Sequence, residues 1–398
     1  MIDLRNSKKT ILYILMSYGT TLLNVALNIL LIRMFTSAQL GRVSLGKSIF
    51  QSFEFSHIGI RFGLDRILPH CKGENERNVI FTTAFLFSVI SSLVFCLFWF
   101  LYDIANILLY FPFIISGLLY TFVTLYKIYY RAFENKNTFL YISFWIIFFP
   151  NLLQLLGLLL FDFYGYIVAH LVSYMFAWTI AYYYFNIRFV FNKTDVFRIC
   201  KLLFSKGYLL FFSTLVSYLA TTGDRFLIEK YWGIELLGVY SVVMFFFSAL
   251  TLFANSYTEM IMSKIILLKS FRFILKHMIF IIIFSVCIVV LAYLLVPYFI
   301  QWFIPQYVQY ISLVRLVLLG TLPFSVLPIL NYYLHAIDKR IFQLFINIIC
   351  TSIYFLFLIP FLFNSVDMWN LILLKNIFYA LLMMMSIGGS FYFSTKRS

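Results

Sequence analysis

The chain has 398 residues, 63% of them hydrophobic and 11% charged, where a soluble domain carries roughly 45–50% apolar and about 25% charged residues. No globular core hides that much apolar side chain, so the composition excludes a water-soluble enzyme and requires lipid as part of the solvent. A net charge of +15 would suggest nucleic acid on a soluble protein; on a membrane protein it is what basic cytoplasmic loops supply, and no nucleic-acid partner is expected.

Apolar runs of about 20 residues recur with short breaks and predict about twelve transmembrane helices. The spans are 11–35, 43–64, 79–101, 107–130, 139–161, 164–186, 208–232, 236–262, 277–299, 310–334, 342–363 and 368–393. The first has no small-residue cleavage site behind it and reads as a span rather than a leader. The second is the weakest, because it carries Lys47, Glu54, His57 and Arg61. Glycine is scarce, at 16 residues, so close small-residue helix packing is expected to be uncommon. The 50 Phe and 29 Tyr are read as the bias of A/T-rich coding DNA. Cys71, Cys96, Cys200, Cys287 and Cys350 stand singly, without ligand spacing. Neither a disulfide, a metal nor another cofactor is expected.

Charge alternates between successive breaks. Lys8, Lys9, Arg66, Arg77, Lys127, Arg131, Lys201, Lys206, Lys264, Lys269, Lys339 and Lys396 fall on one side, while Asp103, Asp162 and Asp367 mark the opposite turns. This predicts a multi-pass protein of a bacterial inner membrane with both termini cytoplasmic. The basic stretch 188–207 divides the chain into 1–187 and 208–398, six spans each. Leu40-Gly41-Arg42-Val43-Ser44 is echoed by Leu237-Gly238-Val239-Tyr240-Ser241, and in the same register Arg33 stands at Lys230. Ala132-Phe133-Glu134-Asn135-Lys136 is echoed by Ala336-Ile337-Asp338-Lys339. The fold class expected is all-α integral membrane, two six-helix bundles related by a pseudo-two-fold axis along the membrane normal.

Asn28 through Arg33, Gln39-Leu40-Gly41, Gly59-Ile60-Arg61-Phe62-Gly63, and Gly223-Asp224-Arg225-Phe226-Leu227-Ile228 followed by Leu237-Gly238-Val239-Tyr240 form a set. This set resembles the motifs of Wzx-type polysaccharide-unit flippases, of the multidrug/oligosaccharidyl-lipid/polysaccharide exporter superfamily. The resemblance covers nearly the whole chain in helix count, loop pattern and length. It departs at Gln306-Tyr307, which lacks the preceding Gly often found there. It implies a MATE-like fold around a central cavity. It implies as substrate an undecaprenyl-diphosphate-linked O-antigen or related repeat unit, moved from the cytoplasmic to the periplasmic leaflet by alternating access without ATP. Membrane lipid and the polymerase machinery that receives the delivered unit are the partners it implies.

Carrying a dianionic diphosphate through a low-dielectric layer needs cations, Arg as a bidentate fork or Lys as a mobile point charge. An ionisable group at a helix centre costs about 2.5–3.5 kcal/mol on insertion scales, so such groups usually face the bundle interior. Arg33, Arg225, Arg315 and Lys375 lie within spans, with Lys230 at the rim. They are the expected basic ring for substrate. For Arg33, Lys230 and Arg315 snorkelling to the interface is the other reading. Asp224 either pairs with a cation on another helix or titrates. In the second span, Lys47, Gln51, Glu54, Arg61 and Asp65 form a polar stripe with His57 inside it. Glu54 and His57 sharing a proton would couple transport to an ion gradient, with Arg61 and Asp224 as further coupling or gating groups; a fixed ion network is the alternative. Asn24, Asn28, Gln154 and His170 either line the cavity or cross-link helices. No GxxxxGK[ST] loop is present, so the chain is not a P-loop ATPase. A polymerase or ligase of similar composition needs a large periplasmic loop, and no outside loop here exceeds about ten residues. A drug exporter of the same superfamily would favour acidic groups in the outer half, where this chain has cations.

Overall fold

The computed structural model describes residues 4–71, 73–102, 107–132, 143–184, 187, 189–191, 195–364 and 367–395. In chain order the helices are α1 (Leu4–Met34), α2 (Ser37–Ser52), α3 (Ile60–Ile67), α4 (Glu74–Tyr102), α5 (Ile107–Ala132) and α6 (Phe149–Tyr184). They continue with α7 (Val196–Tyr218), α8 (Asp224–Trp232), α9 (Ile234–Leu268), α10 (Phe271–Phe303), α11 (Ile311–Ala336), α12 (Arg340–Asn364) and α13 (Met368–Thr395). Among the described residues, 9 helical stretches are long and apolar enough to cross a membrane. The stretch Phe144–Tyr183 counts once among them, yet Phe161 and Asp162 are non-helical, with Asp162 at φ 51°. It is therefore two limbs joined by a turn where the sequence expects one, between 139–161 and 164–186. The shorter apolar run Gly19–Met34 and the broken α2–α3 segment account for the remaining expected spans.

That broken segment departs from the expected single helix over 43–64. Helix α2 ends at Ser52, a 3₁₀ turn covers Phe53–Phe55, and Ile58 (φ 46°) and Gly59 (φ 85°) turn left-handed before α3. Glycine at 59 removes the Cβ that would oppose such a φ. Open backbone within an apolar layer persists only where its polar groups find partners. Here the neighbours supply them: Thr121 donates to the Phe53 carbonyl at 3.2 Å, Trp99 Nε1 donates to Ser52 Oγ at 2.9 Å, and the Ser56 and Ser92 hydroxyls meet at 2.7 Å. A second difference lies at α7, which starts at Val196, inside the stretch 188–207 read as a basic linker.

Two compact units make up the chain: Met1–Phe35 with Val43–Phe212, and Thr36–Arg42 with Ser213–Ser398. In the first, Leu64, Phe81, Leu125, Tyr126 and Leu203 form part of one buried cluster. In the second, α11 is the central helix; Val326, Ile329, Leu330 and Leu334 on it are buried with Ile265 of α9 and Ile281 of α10. Helix α10 is apolar around its whole circumference, and its outward Ile283, Val290, Leu291, Leu294 and Leu295 are exposed, as a lipid-facing helix requires.

The scarce glycines are concentrated at close approaches, contrary to the expectation from their number. A Cβ added to Gly63 would meet the Leu203 carbonyl, and one added to Gly207 would meet the Gly59 carbonyl, so the Gly59/Gly63 pair of α3 lies directly on α7. In the second unit a Cβ on Gly41 would meet the Ile234 carbonyl, and one on Gly238 the Ser37 carbonyl. This contact is reciprocal. In the register of the sequence echo, Ser37 stands at Ile234 and Gly41 at Gly238.

Candidate functional site

Helix α7 widens into a π turn over Leu219–Gly223 before α8 begins at Asp224. Such single π turns inside helices are frequent at functional sites, because they shift which carbonyls the helix uses. Here the Thr221 carbonyl, inside the π turn, accepts a hydrogen bond from Lys375 Nζ of α13 at 3.2 Å. The same ammonium donates to Asp224 Oδ2 and, at 2.8 Å, to the Tyr240 hydroxyl of α9. All three ammonium protons are placed. Tyr240 and, at 3.2 Å, Tyr354 of α12 donate to Asp224 Oδ2. The Lys375 and Asp224 side chains are 1% and 0% exposed. The second carboxylate oxygen, Oδ1, is buried and makes no hydrogen bond among the described residues. Around the pair, Tyr379 stacks on Phe247 at 5.1 Å and Phe378 packs on Tyr354 at 5.0 Å. The pair thus sits in an apolar bundle with hydrogen bonds replacing water, and removing either partner leaves the other uncompensated.

The expected basic ring therefore changes character. Lys375 is committed to Asp224 rather than standing alone, and Asp224 takes the pairing alternative. Arg225 is half-buried on α8, next to Asp224 in sequence. Lys230 is exposed at the end of α8 and lies 5.6 Å over the Tyr231 ring. Arg315 of α11 lies 4.5 Å over the Tyr293 ring of α10, with Tyr293 itself exposed. Arg33 is exposed in the last turn of α1, in the first unit. Of these residues, Lys375 and Asp224 form a buried ion pair within the second unit.

In the first unit the polar stripe is rearranged by the break between α2 and α3. Arg61 reaches back across it to Glu54 Oε1 at 3.0 Å, with the two side chains 19% and 44% exposed. His57 does not meet Glu54. Its ring is fully buried against Phe62 and Phe211, and its Nδ1 accepts from the Gly59 N–H at 3.1 Å, leaving the proton on Nε2. The direct Glu54–His57 hydrogen bond that a shared proton would use is therefore not formed. Lys47 donates to Asn28 Oδ1 at 3.1 Å and lies 5.7 Å over Tyr166. Gln154 and His170, both buried, meet at 2.9 Å and tie the two limbs of α6 together.

Tyr240, Tyr354 and Thr221 were not singled out from sequence as site residues. Tyr240 stood inside a quoted motif, and mid-span tyrosines far from either interface are the signal that could have marked it and Tyr354.

A family model described as polysaccharide biosynthesis protein matches residues 30–266. No curated protein matches the chain. Among solved structures, the inward-facing conformation of a multidrug resistance MATE family transporter of the MOP superfamily aligns with TM-score 0.69 and 12% identity over 95% of each chain. The outward-facing conformation of such a transporter aligns with TM-score 0.58 and 12% identity, over 97% of this chain and 93% of the other. The MATE multidrug transporter DinF-BH gives TM-score 0.59 and 13% identity, over 98% and 93%. At such identities the likeness establishes the fold, not the cargo, and the expected MATE-like all-α membrane fold is the one found. Sequence over more than half of the chain and fold over nearly all of it agree: the chain belongs to the polysaccharide biosynthesis protein family, as a multi-pass membrane protein on the MATE-type fold.

Proposed function

We propose that the protein is a flippase, carrying undecaprenyl-diphosphate-linked repeat units of an O-antigen or related polysaccharide from the cytoplasmic to the periplasmic leaflet by alternating access. The observation that supports it is a conjunction: a sequence family of polysaccharide biosynthesis on a fold that transporters use. The charge alternation of the loops supports an inner-membrane protein with both termini cytoplasmic. In this reading Arg33, Arg225, Lys230 and Arg315 meet the diphosphate or an acidic sugar, replacing the water around the phosphates. Lys375 is held in reserve by Asp224. Protonating Asp224 leaves the ammonium uncompensated in an apolar bundle, so proton uptake and anion arrival favour each other. The ion gradient acts through Asp224 in this scheme, and Glu54 with Arg61 forms a fixed pair.

The test is deletion of the gene in its own host, followed by locating the diphosphate-lipid-linked glycan. Single repeat units accumulate on the cytoplasmic leaflet, and wild type restores export. An Arg225→Gln, Lys375→Gln double variant that reaches the membrane does not. Unpolymerised units collecting on the periplasmic side would point to a polymerase instead.

A further inference from the structure

The π turn that hands its Thr221 carbonyl to Lys375 also walls a cavity of about 150 Å³ inside the second unit. Phe324, Phe378 and Tyr379 supply aromatic surface to it, and Asn331, Asn347 and Thr351 supply amides and a hydroxyl. No charged side chain lines it. Its polar groups are incompletely used. Thr351 is 8% exposed and Asn331 half-buried, and both line the cavity with polar atoms that are not sealed from it. Asn347, 6% exposed, makes one long bond, from Nδ2 to Ser217 Oγ at 3.5 Å, which leaves its carbonyl oxygen unengaged. An amide or hydroxyl that opens onto such a cavity pairs with whatever polar group enters it, and loses that pairing when an apolar group enters instead.

Size and chemistry narrow what that is. A protein cavity of about 150 Å³ accepts a single six-membered ring. A phosphate or carboxylate is disfavoured, because an anion in an apolar site needs a paired charge and none lines this one. A lipid tail is disfavoured, because it leaves the amides and the hydroxyl unpaired. A pyranose fits both halves of the lining: its C–H face is apolar and lies on aromatic rings, and its hydroxyl edge offers donors and acceptors to Asn and Thr.

We infer that this cavity is a subsite for one uncharged sugar ring of the transported lipid, read by Asn331, Asn347 and Thr351 against Phe378 and Tyr379. The inference rests on the flippase reading and deepens it: cations meet the diphosphate, and this neutral pocket selects the glycan.

The experiment uses the full-length protein in lipid nanodiscs and two kinds of probe. One is bare undecaprenyl diphosphate. The other is the same lipid bearing a single glucose, galactose or N-acetylglucosamine. Wild type binds at least one glycosylated lipid tighter than the bare lipid by about tenfold or more. The Asn331→Leu, Thr351→Val double variant binds both kinds alike, with its affinity for the bare lipid unchanged. Thr351→Ser retains the preference, and an unaltered melting temperature shows the double variant to be folded. A preference that survives in the double variant, or a wild type that binds every diphosphate lipid equally, overturns the subsite while leaving the flippase reading in place. A wild type that binds none of the lipids overturns that reading and the subsite with it.

Discussion

In the second unit Lys375 and Asp224 are sealed from solvent, with Tyr240, Tyr354 and the Thr221 carbonyl completing their hydrogen bonds. In the first unit Arg61 and Glu54 form a pair of ordinary length, 3.0 Å, but the carboxylate side chain is 44% exposed and bridges an irregular turn. The two pairs look alike as a contact list and differ in environment. A desolvated pair is held because separation leaves a bare charge in an apolar medium. A half-open pair competes with water and contributes little. The comparison separates a sealed pair, to which the proposed function assigns the switching, from one that fastens a bend.

The largest effect expected is from Lys375→Met. It strands Asp224 and lowers stability by about 3–5 kcal/mol, read as a fall in melting temperature of the detergent-solubilised protein. Adding Asp224→Leu removes the stranded charge and recovers most of the loss. A double variant as unstable as the single one would break the comparison. Next come the glycines of the close crossings. Gly238→Val in the second unit and Gly63→Val in the first each press a side chain onto a backbone carbonyl and cost about 1–3 kcal/mol in the same melting assay. Arg61→Gln is smaller, about 0.2–1 kcal/mol, and its effect shrinks further as salt is raised; a loss as large as that of Lys375→Met would show the first pair to be buried in function. In transport assays Glu54→Gln leaves the dependence on a pH gradient unchanged, because His57 does not share its proton, whereas Asp224→Asn removes that dependence. Arg315→Gln is of the same small size, about 0.5–1 kcal/mol in the melting assay, for loss of the cation–π contact with Tyr293.

Much of the fold is visible in the apolar runs. The turn at Asp162 falls where an acidic residue interrupts two long runs, and α9 to α13 begin and end close to the expected spans. What is not visible depends on partners distant in sequence. The break at 53–59 is held by Ser92, Trp99 and Thr121 from other helices, so a run that is apolar enough to be one helix becomes two. Glycine number misleads in the same way, since a few glycines placed at Gly41, Gly63, Gly207 and Gly238 suffice for the tightest contacts. Asp224 and Lys375 were both named from sequence, because charges in apolar spans are conspicuous. Their union was not legible across the 151 residues that separate them. Tyr240 and Tyr354 escaped because tyrosine abundance was read as compositional bias, which hides the few that donate to a carboxylate.

Reconstituted transport tests the central claim most directly. The purified protein is placed in liposomes containing an undecaprenyl-diphosphate-linked glycan, and the glycan's accessibility to a membrane-impermeant lectin is followed in time. The account predicts that glycan from the inner leaflet becomes accessible with the wild-type protein and stays protected with the stable Lys375→Met, Asp224→Leu variant. Equal exposure with wild type, with the variant and in protein-free liposomes would contradict it.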